Sequence, residues 1–395
     1  MELLSKIKEL SAAYYKETVK TRQYLHKNPE LSFNEVGTSE FICDFLKNNK
    51  IPFQKGIAKT GILGIIEGKK PGKTIALRAD MDALPVPEKN ILPYTSKNKG
   101  VMHACGHDMH MASLMATAKI LNSVKDSING RILLVFQPAE EKLPGGAKAM
   151  LEDGLFKKYK PDHVIAQHVM PELEAGKTGF REGMYMASTD EIYMTVKGKG
   201  GHAAMPHQIT DTVLVSSHII VGLQQIVSRK GNVSVPSVLS FGKIIAQGAT
   251  NIIPDEVKIE GTFRTMDETW RKSAHKEIVK LAKGIAASMG AECEIEIVKG
   301  YPFLVNDSKT TAMAEKAASE YSGKRNVTQL DIRMTAEDFS YFTQLYPSVM
   351  YRTGTGNVKK GIVAPLHSPS FNIDESVLKE SPGIMAWIAI SLLAE

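Results

Sequence analysis

Met102-His103-Ala104-Cys105-Gly106-His107-Asp108-Met109-His110 is the stretch on which the reading of this chain turns. It gathers thiol, imidazole and carboxylate groups in a sequence that has only 3 Cys and 11 His among 395 residues. Directly after it, Met111, Leu114, Met115, Ala118 and Leu121 recur at helical spacing, so Cys105 and His107 stand just before or within a helix's first turn. The positive end of that helix dipole is expected to favour a Cys105 thiolate. A Cys-x-His pair alone fits a buried turn with incidental histidines equally well, and a metal centre needs further ligands from elsewhere.

Short apolar runs on either side supply them. Ile62–Glu67 and Thr74–Arg78 read as strands around the turn Lys69-Lys70-Pro71-Gly72, and the second leads into Asp80 and Asp82. Ile132–Phe136 leads into Gln137-Pro138-Ala139-Glu140-Glu141, and His163–Ala166 into Gln167-His168. Ser348–Tyr351 precedes a glycine-rich loop that reaches Leu366-His367-Ser368-Pro369. Helices are expected at Leu3–Lys27, Glu35–Asn49 and Gly146–Asp153, with an amphipathic one at Glu375–Leu393. Strands alternating with helices predict an α/β fold with a parallel or mixed sheet covered on both faces. Polar residues that follow its strands share the edge where open sheets place their sites. Cysteine, three histidines and one or two glutamates suffice for two transition-metal ions.

Residues 186–300 read as an insertion into a domain made of 1–185 and 301–395. Strands at Asp190–Lys197, Val238–Ala246, Glu256–Arg264 and Glu292–Lys299, with helices at Asp211–Ser228 and Thr269–Met289, give the order βαββαβ of a ferredoxin-like sandwich.

Composition excludes several classes. With 43% hydrophobic and 23% charged residues the chain is an ordinary globular one, long enough for two domains. The net charge of +6 is scattered, with no basic block interleaved with aromatics, so nucleic acid is not an expected partner. No apolar run has the length of a membrane span. The odd number of widely spaced cysteines (Cys43, Cys105, Cys293) implies no disulfide framework, and the amino-terminal stretch lacks the apolar core of a signal peptide; a cytoplasmic location is expected.

The segments Met102–His107, Gln137–Glu141, Gln167-His168, Gly200–Pro206 and Leu366–Ser368 resemble, in order and over essentially the whole chain, the dinuclear-metal aminoacylase and carboxypeptidase family. The match is to the branch with hippurate hydrolase and the auxin-conjugate amidohydrolases. The resemblance implies a catalytic domain of zinc-exopeptidase type and an inserted domain that forms a homodimer. It implies two divalent metal ions, zinc first and manganese or another ion as the alternative, on Cys105, His107, Glu141, His168 and His367, with Cys105 bridging. Glu140 takes the place of the general base, with a second ligand or a solvated loop acid as alternatives. His202 takes that of an oxyanion donor to the partner's site, and Asn251 and Arg264 those of groups that bind the substrate's free carboxylate. Asp82 is expected to orient a metal-binding histidine. Asp80 stands where the wider family has a ligand histidine, which leaves it either a ligand or a supporting group.

Two such ions activate water and polarise an amide carbonyl, so hydrolysis of N-acyl amino acids is the expected activity. Carboxypeptidase or dipeptidase action and N-acetyl-diaminopimelate deacetylation use the same groups. A non-catalytic, metal-stabilised binding protein is the alternative of another class; a free base beside a full ligand set argues against it. The remaining histidines, His26, His103, His110, His163, His207, His218 and His275, are assigned to packing or solvent.

Overall fold

Aliphatic and β-branched runs form the strands, and in the computed structural model, which describes residues 2–394, eight of them join in one sheet. The spatial order is Phe53–Ile57, Gly61–Glu67, Arg131–Gln137, Thr74–Asp80, His163–Glu174, Ser348–Gly356, Thr178–Phe180, Val327–Gln329. The four central strands, from Arg131–Gln137 to Ser348–Gly356, are parallel. Antiparallel pairing at Phe53–Ile57, Gly61–Glu67 and Thr178–Phe180 makes the sheet mixed. Thr74–Asp80 is buried at every position, as a central parallel strand covered on both faces must be.

Three helices, Glu2–Lys27, His107–Ser123 and Ser381–Leu393, share a core with that sheet, in which Ile7, Leu77, Met111, Met115, Leu134, Tyr351 and Ile388 are buried together. Full burial of such side chains contributes about 1.5–3 kcal/mol each. One expectation needs correction here. Glu375–Lys379 is a 3-10 turn capped by the Asp374 carboxylate, and the α-helix begins only at Ser381 with Pro382 in its first turn. That helix is not amphipathic. Ile384, Met385, Ile388, Ala389, Ile390 and Leu392 are all buried, because it lies inside the core rather than on it.

The segments up to Met184, Val305–Ile332 and from Asp338 onward make one compact unit; Tyr185–Leu304 with Arg333–Glu337 make another. The second holds a four-stranded antiparallel sheet in the order Ser237–Ala246, Glu256–Thr265, Asp190–Lys197, Glu292–Lys299. With the helices Thr212–Leu223 and Glu268–Ser288 this is the split arrangement of a ferredoxin-like sandwich. Ile192, Met194, Ile219, Phe263 and Ile278 fill its core. At its base the buried Asp190 accepts from Arg271 Nε at 2.9 Å and lies 2.6 Å from His275 Nε2.

Candidate metal centre

The polar groups gather at the carboxyl ends of the parallel strands, as open α/β sheets dictate. Asp80 ends one strand and Gln137 ends its neighbour. His168 is still within its strand, which runs on to Glu174 rather than stopping at Ala166. The helix His107–Ser123 is preceded by Gly106 at φ 86°, where a Cβ would come within 2.6 Å of a Val169 methyl. Only glycine lets the chain turn so close to the strand.

Donor atoms of Cys105, His107 and His168 lie within 4.8 Å of one another, as do those of Cys105, Glu141 and His367, and those of His107, Glu140 and Glu141. Cys105 Sγ is 3.6 Å from His168 Nε2, and His367 Nε2 is 3.3 Å from Glu141 Oε1. Glu140 is 6% exposed, which removes the reading of a solvated loop acid. The histidines are fixed by what their other ring nitrogens do. His107 Nδ1 donates to the Asp82 carbonyl at 2.8 Å, and His168 Nδ1 to the Val169 carbonyl at 2.8 Å. Each ring thereby keeps Nε2 as the nitrogen it can offer to a metal once deprotonated.

Asp82 accounts for the acidic turn. Its Oδ1 accepts the N–H of Glu140 and its Oδ2 that of Glu141, both at 3.0 Å, while Ser32 Oγ donates to Oδ2 at 2.6 Å. His107 Nδ1 is 3.3 Å from the same carboxylate. Ala139, just before the two glutamates, is left-handed at φ 49°, and its N–H is held by the buried Glu35 carboxylate at 2.9 Å. His367 is also left-handed, at φ 63°, with its N–H on the Ala104 carbonyl. Such backbone persists only where neighbours over-determine it.

Asp80 is spoken for by other groups. Its Oδ2 accepts from Arg78 at 2.6 Å and its Oδ1 from His110 Nδ1 at 2.6 Å, while His110 Nε2 accepts the Val169 N–H at 2.9 Å. Asp80 and His110 thus brace the strand that carries His168. His110, one helical turn after His107, is the residue that sequence reasoning passed over; its spacing was the available signal. Arg78, Gln137, Glu35 and Asp338 were also passed over, because their contacts are distant in sequence.

Electrostatics show what this cluster wants. Burial alone lowers the His107 pKa, but Asp80, Asp82 and Glu141 carry it up to about 10. Burial, then Glu141, Glu140 and Asp80, push the Cys105 thiol well above its ordinary value. In the absence of a cation these carboxylates oppose the thiolate that the helix dipole is expected to favour. A cation among these groups reverses both effects. His107 Nε2 is buried without a hydrogen-bond partner among the described residues, and Glu141 Oε1 faces His367 Nε2. Together with a thiol and the His168 Nε2, they are a donor set suited to divalent transition metals.

In the second unit, Gly201-His202 pairs antiparallel with Ile252-Ile253, and the Ala203 N–H donates to the Asn251 carbonyl at 3.0 Å, so His202 and Asn251 stand on one small ribbon. The His202 side chain is exposed, its Nδ1 accepting the Ala204 N–H at 3.1 Å. Arg264, in the strand Glu256–Thr265, donates to the Met334 carbonyl at 3.1 Å. Burial lowers its pKa, and no acidic residue offsets that.

A mixed sheet that presents thiol, imidazole and carboxylate donors beside a buried glutamate defines the class of metallohydrolases. The chain belongs to peptidase family M20/M25/M40, which residues 76–388 match. It is 39% identical over 393 residues, 99% of both chains, to thermostable carboxypeptidase 2 of Saccharolobus solfataricus. It is 41% identical over 300 residues, 76% of this chain and 80% of the relative, to an N-acyl-L-amino acid amidohydrolase of Geobacillus stearothermophilus. Among solved structures, a dinuclear metal-binding M20 peptidase of Bacillus subtilis superposes with a TM-score of 0.82 at 32% identity, covering 97% of this chain and 99% of that one.

Proposed function

We propose that this protein is a metal-dependent amidohydrolase that cleaves the amide bond of N-acyl amino acids. The observation that carries the reading is the buried Glu140 carboxylate beside Cys105, His107, Glu141, His168 and His367, a donor set whose ligand atoms converge while the glutamate adjoins them. In this reading those five residues would hold two divalent ions, with zinc favoured by a thiolate ligand and manganese or another ion as the alternative. Bound there, the ions polarise the amide carbonyl and acidify water.

The chain's own residues do the rest. Glu140 takes a proton from the attacking water on its carboxylate and returns it to the departing amine nitrogen. Arg264, a half-buried guanidinium with no acidic partner, and Asn251 bind the free carboxylate of the amino acid. His202 donates to the oxyanion, from the partner subunit of a homodimer formed through residues 186–300. Three free cysteines suit a reducing compartment, and a cytoplasmic location is part of the proposal.

Carboxypeptidase action is the second reading, favoured by the full-length similarity to a thermostable carboxypeptidase. Metal-loaded and chelated protein assayed against N-acyl amino acids and dipeptides separates the two. The proposal expects metal-dependent turnover with kcat/KM highest on an N-acyl amino acid; higher values on dipeptides make it a peptidase, and activity that survives full chelation overturns both.

A further inference from the structure

The Asp338 carboxylate is buried and bound by N–H donors on both oxygens. Oδ1 accepts from Arg78 Nη2 at 2.9 Å and Gln137 Nε2 at 2.8 Å, and Oδ2 from Gln137 Nε2 at 2.9 Å and the Ala147 N–H at 2.9 Å. It lies beside Glu140, and both of its oxygens are already held by these N–H donors. What it binds is informative. Gln137 and Ala147 are the two ends of the segment that carries Glu140 and Glu141, so one carboxylate staples that loop shut. Its own backbone N–H reaches Glu140 Oε1 at 3.4 Å, and a carboxylate oxygen lies within 4.8 Å of one of Glu140's.

The stapled loop has little freedom of its own to hold this shape. Ala139 is left-handed, and the Gly146 N–H closes on the Ala139 carbonyl at 2.8 Å. A Cβ on Gly146 would fall 1.6 Å from the Pro138 carbonyl oxygen, so the short helix Gly146–Glu152 rests directly on the turn before Glu140. Arg78, fully buried, pairs with Asp338 and joins it to Asp80. The brace therefore runs from two strand ends, through Asp338, to the helix behind the acidic turn.

We propose that Asp338 is a positioning residue for Glu140. It fixes both ends of the loop and one oxygen of the carboxylate, and so sets where the proton acceptor stands. The inference rests on Glu140 being that acceptor. A misplacement of about 1 Å at a reacting group costs on the order of a hundredfold in rate. Asp338→Asn is accordingly expected to lower kcat about ten- to a hundredfold, with KM nearly unchanged and the same bound metal per chain as the parent.

Glu140→Gln and the double variant separate the two readings. A near-normal Glu140→Gln enzyme removes the acceptor reading, and the positioning role with it. With Glu140→Gln inactive, a normal kcat in Asp338→Asn overturns the positioning role alone, as does loss of metal along with activity. Adding Asp338→Asn to Glu140→Gln should cost nothing further in residual turnover, since residues that act through one another are not additive; a further full loss means a merely structural role. If Asp338→Asn does not fold, Gln137→Leu removes the stapling Nε2 donor at one end of the loop and leaves the Arg78–Asp338 pair intact. It should lower kcat at unchanged KM, and an unchanged kcat overturns the proposal.

Discussion

Asp82 holds Glu140 from beneath, its Oδ1 accepting the Glu140 N–H at 3.0 Å, while its own backbone carbonyl accepts from His107 Nδ1 at 2.8 Å. One residue thus sets both a candidate ligand and the candidate base. The carboxylate serves the acidic turn and the carbonyl serves the histidine, a division that orients two shells at once. Asp82→Ala is expected to weaken metal binding by about ten- to a hundredfold, the usual cost of an outer-shell partner. Competition with a chelator of known affinity measures it, and parent-like retention would show that the His107 contacts suffice.

Glu140→Gln should keep metal and fold but lose roughly two to four orders of magnitude in kcat, because an amide cannot accept the proton. Steady-state kinetics beside elemental analysis check both halves. Retained metal with lost turnover also disposes of a non-catalytic binding role.

Cys105→Ala should reduce the metal content per chain, since its thiol adjoins both the His107 and His168 group and the Glu141 and His367 group. Elemental analysis after gel filtration reads this out. Two ions held as tightly as in the parent would rule out a bridging cysteine.

If His202 serves the partner's centre, inactive His202→Ala chains mixed with inactive Glu140→Gln chains should regain activity. Each mixed dimer then has one site with both defects and one with neither. Loss of a single oxyanion donor costs about a hundred- to a thousandfold, so recovery is easily seen. Demonstrated chain exchange without recovery sinks the trans arrangement.

Asp190→Asn should destabilise the ferredoxin-like unit by about 1.5–3 kcal/mol at neutral pH, because it removes the buried one of the two carboxylates that Arg271 pairs with and leaves the guanidinium to Glu268. Burial opposes ionisation of Asp190, but His275 and Arg271 hold its pKa below the usual range. A depressed carboxylate pKa stabilises the fold above the unfolded value of about 3.9 and loses that contribution as pH falls through the folded value. The gap between parent and variant should therefore close only in acid. Trp270 lies in this unit and Trp387 in the other, so urea melts of a Trp387→Phe background follow it by fluorescence. A gap that does not depend on pH would place the effect elsewhere.

Most of the architecture was legible because it is periodic. Thr74–Asp80 and Arg131–Gln137 are apolar runs, and the inserted sandwich alternates as Asp190–Lys197 does, buried and less buried in turn. Phe53–Ile57 was not legible, since Gln54, Lys55 and Gly56 are exposed on an edge strand that carries no burial signal. The helix Ser381–Leu393 misled for the opposite reason: buried at all but Trp387, Ser391 and Leu393, it has no polar face to give its period. At the site, donors next to strand ends could be recognised one by one. The Cys105 pKa, and the roles of Arg78, His110 and Asp338, depend on which charges face each other across the fold, and spacing does not record that.

The burial of Ser381–Leu393 also has a bearing on how the chain is made. That helix packs against Glu2–Lys27 and His107–Ser123, so the core that backs the candidate centre joins segments far apart in the order of synthesis. At ordinary elongation rates the interval between them is on the order of tens of seconds. For that time the faces of Glu2–Lys27 and His107–Ser123 that pack on Ser381–Leu393 lack that cover, whereas the ferredoxin-like unit has nearly all of its own sequence available much earlier. During synthesis, the unit that carries the candidate centre is thus the one whose apolar surface stays uncovered longer.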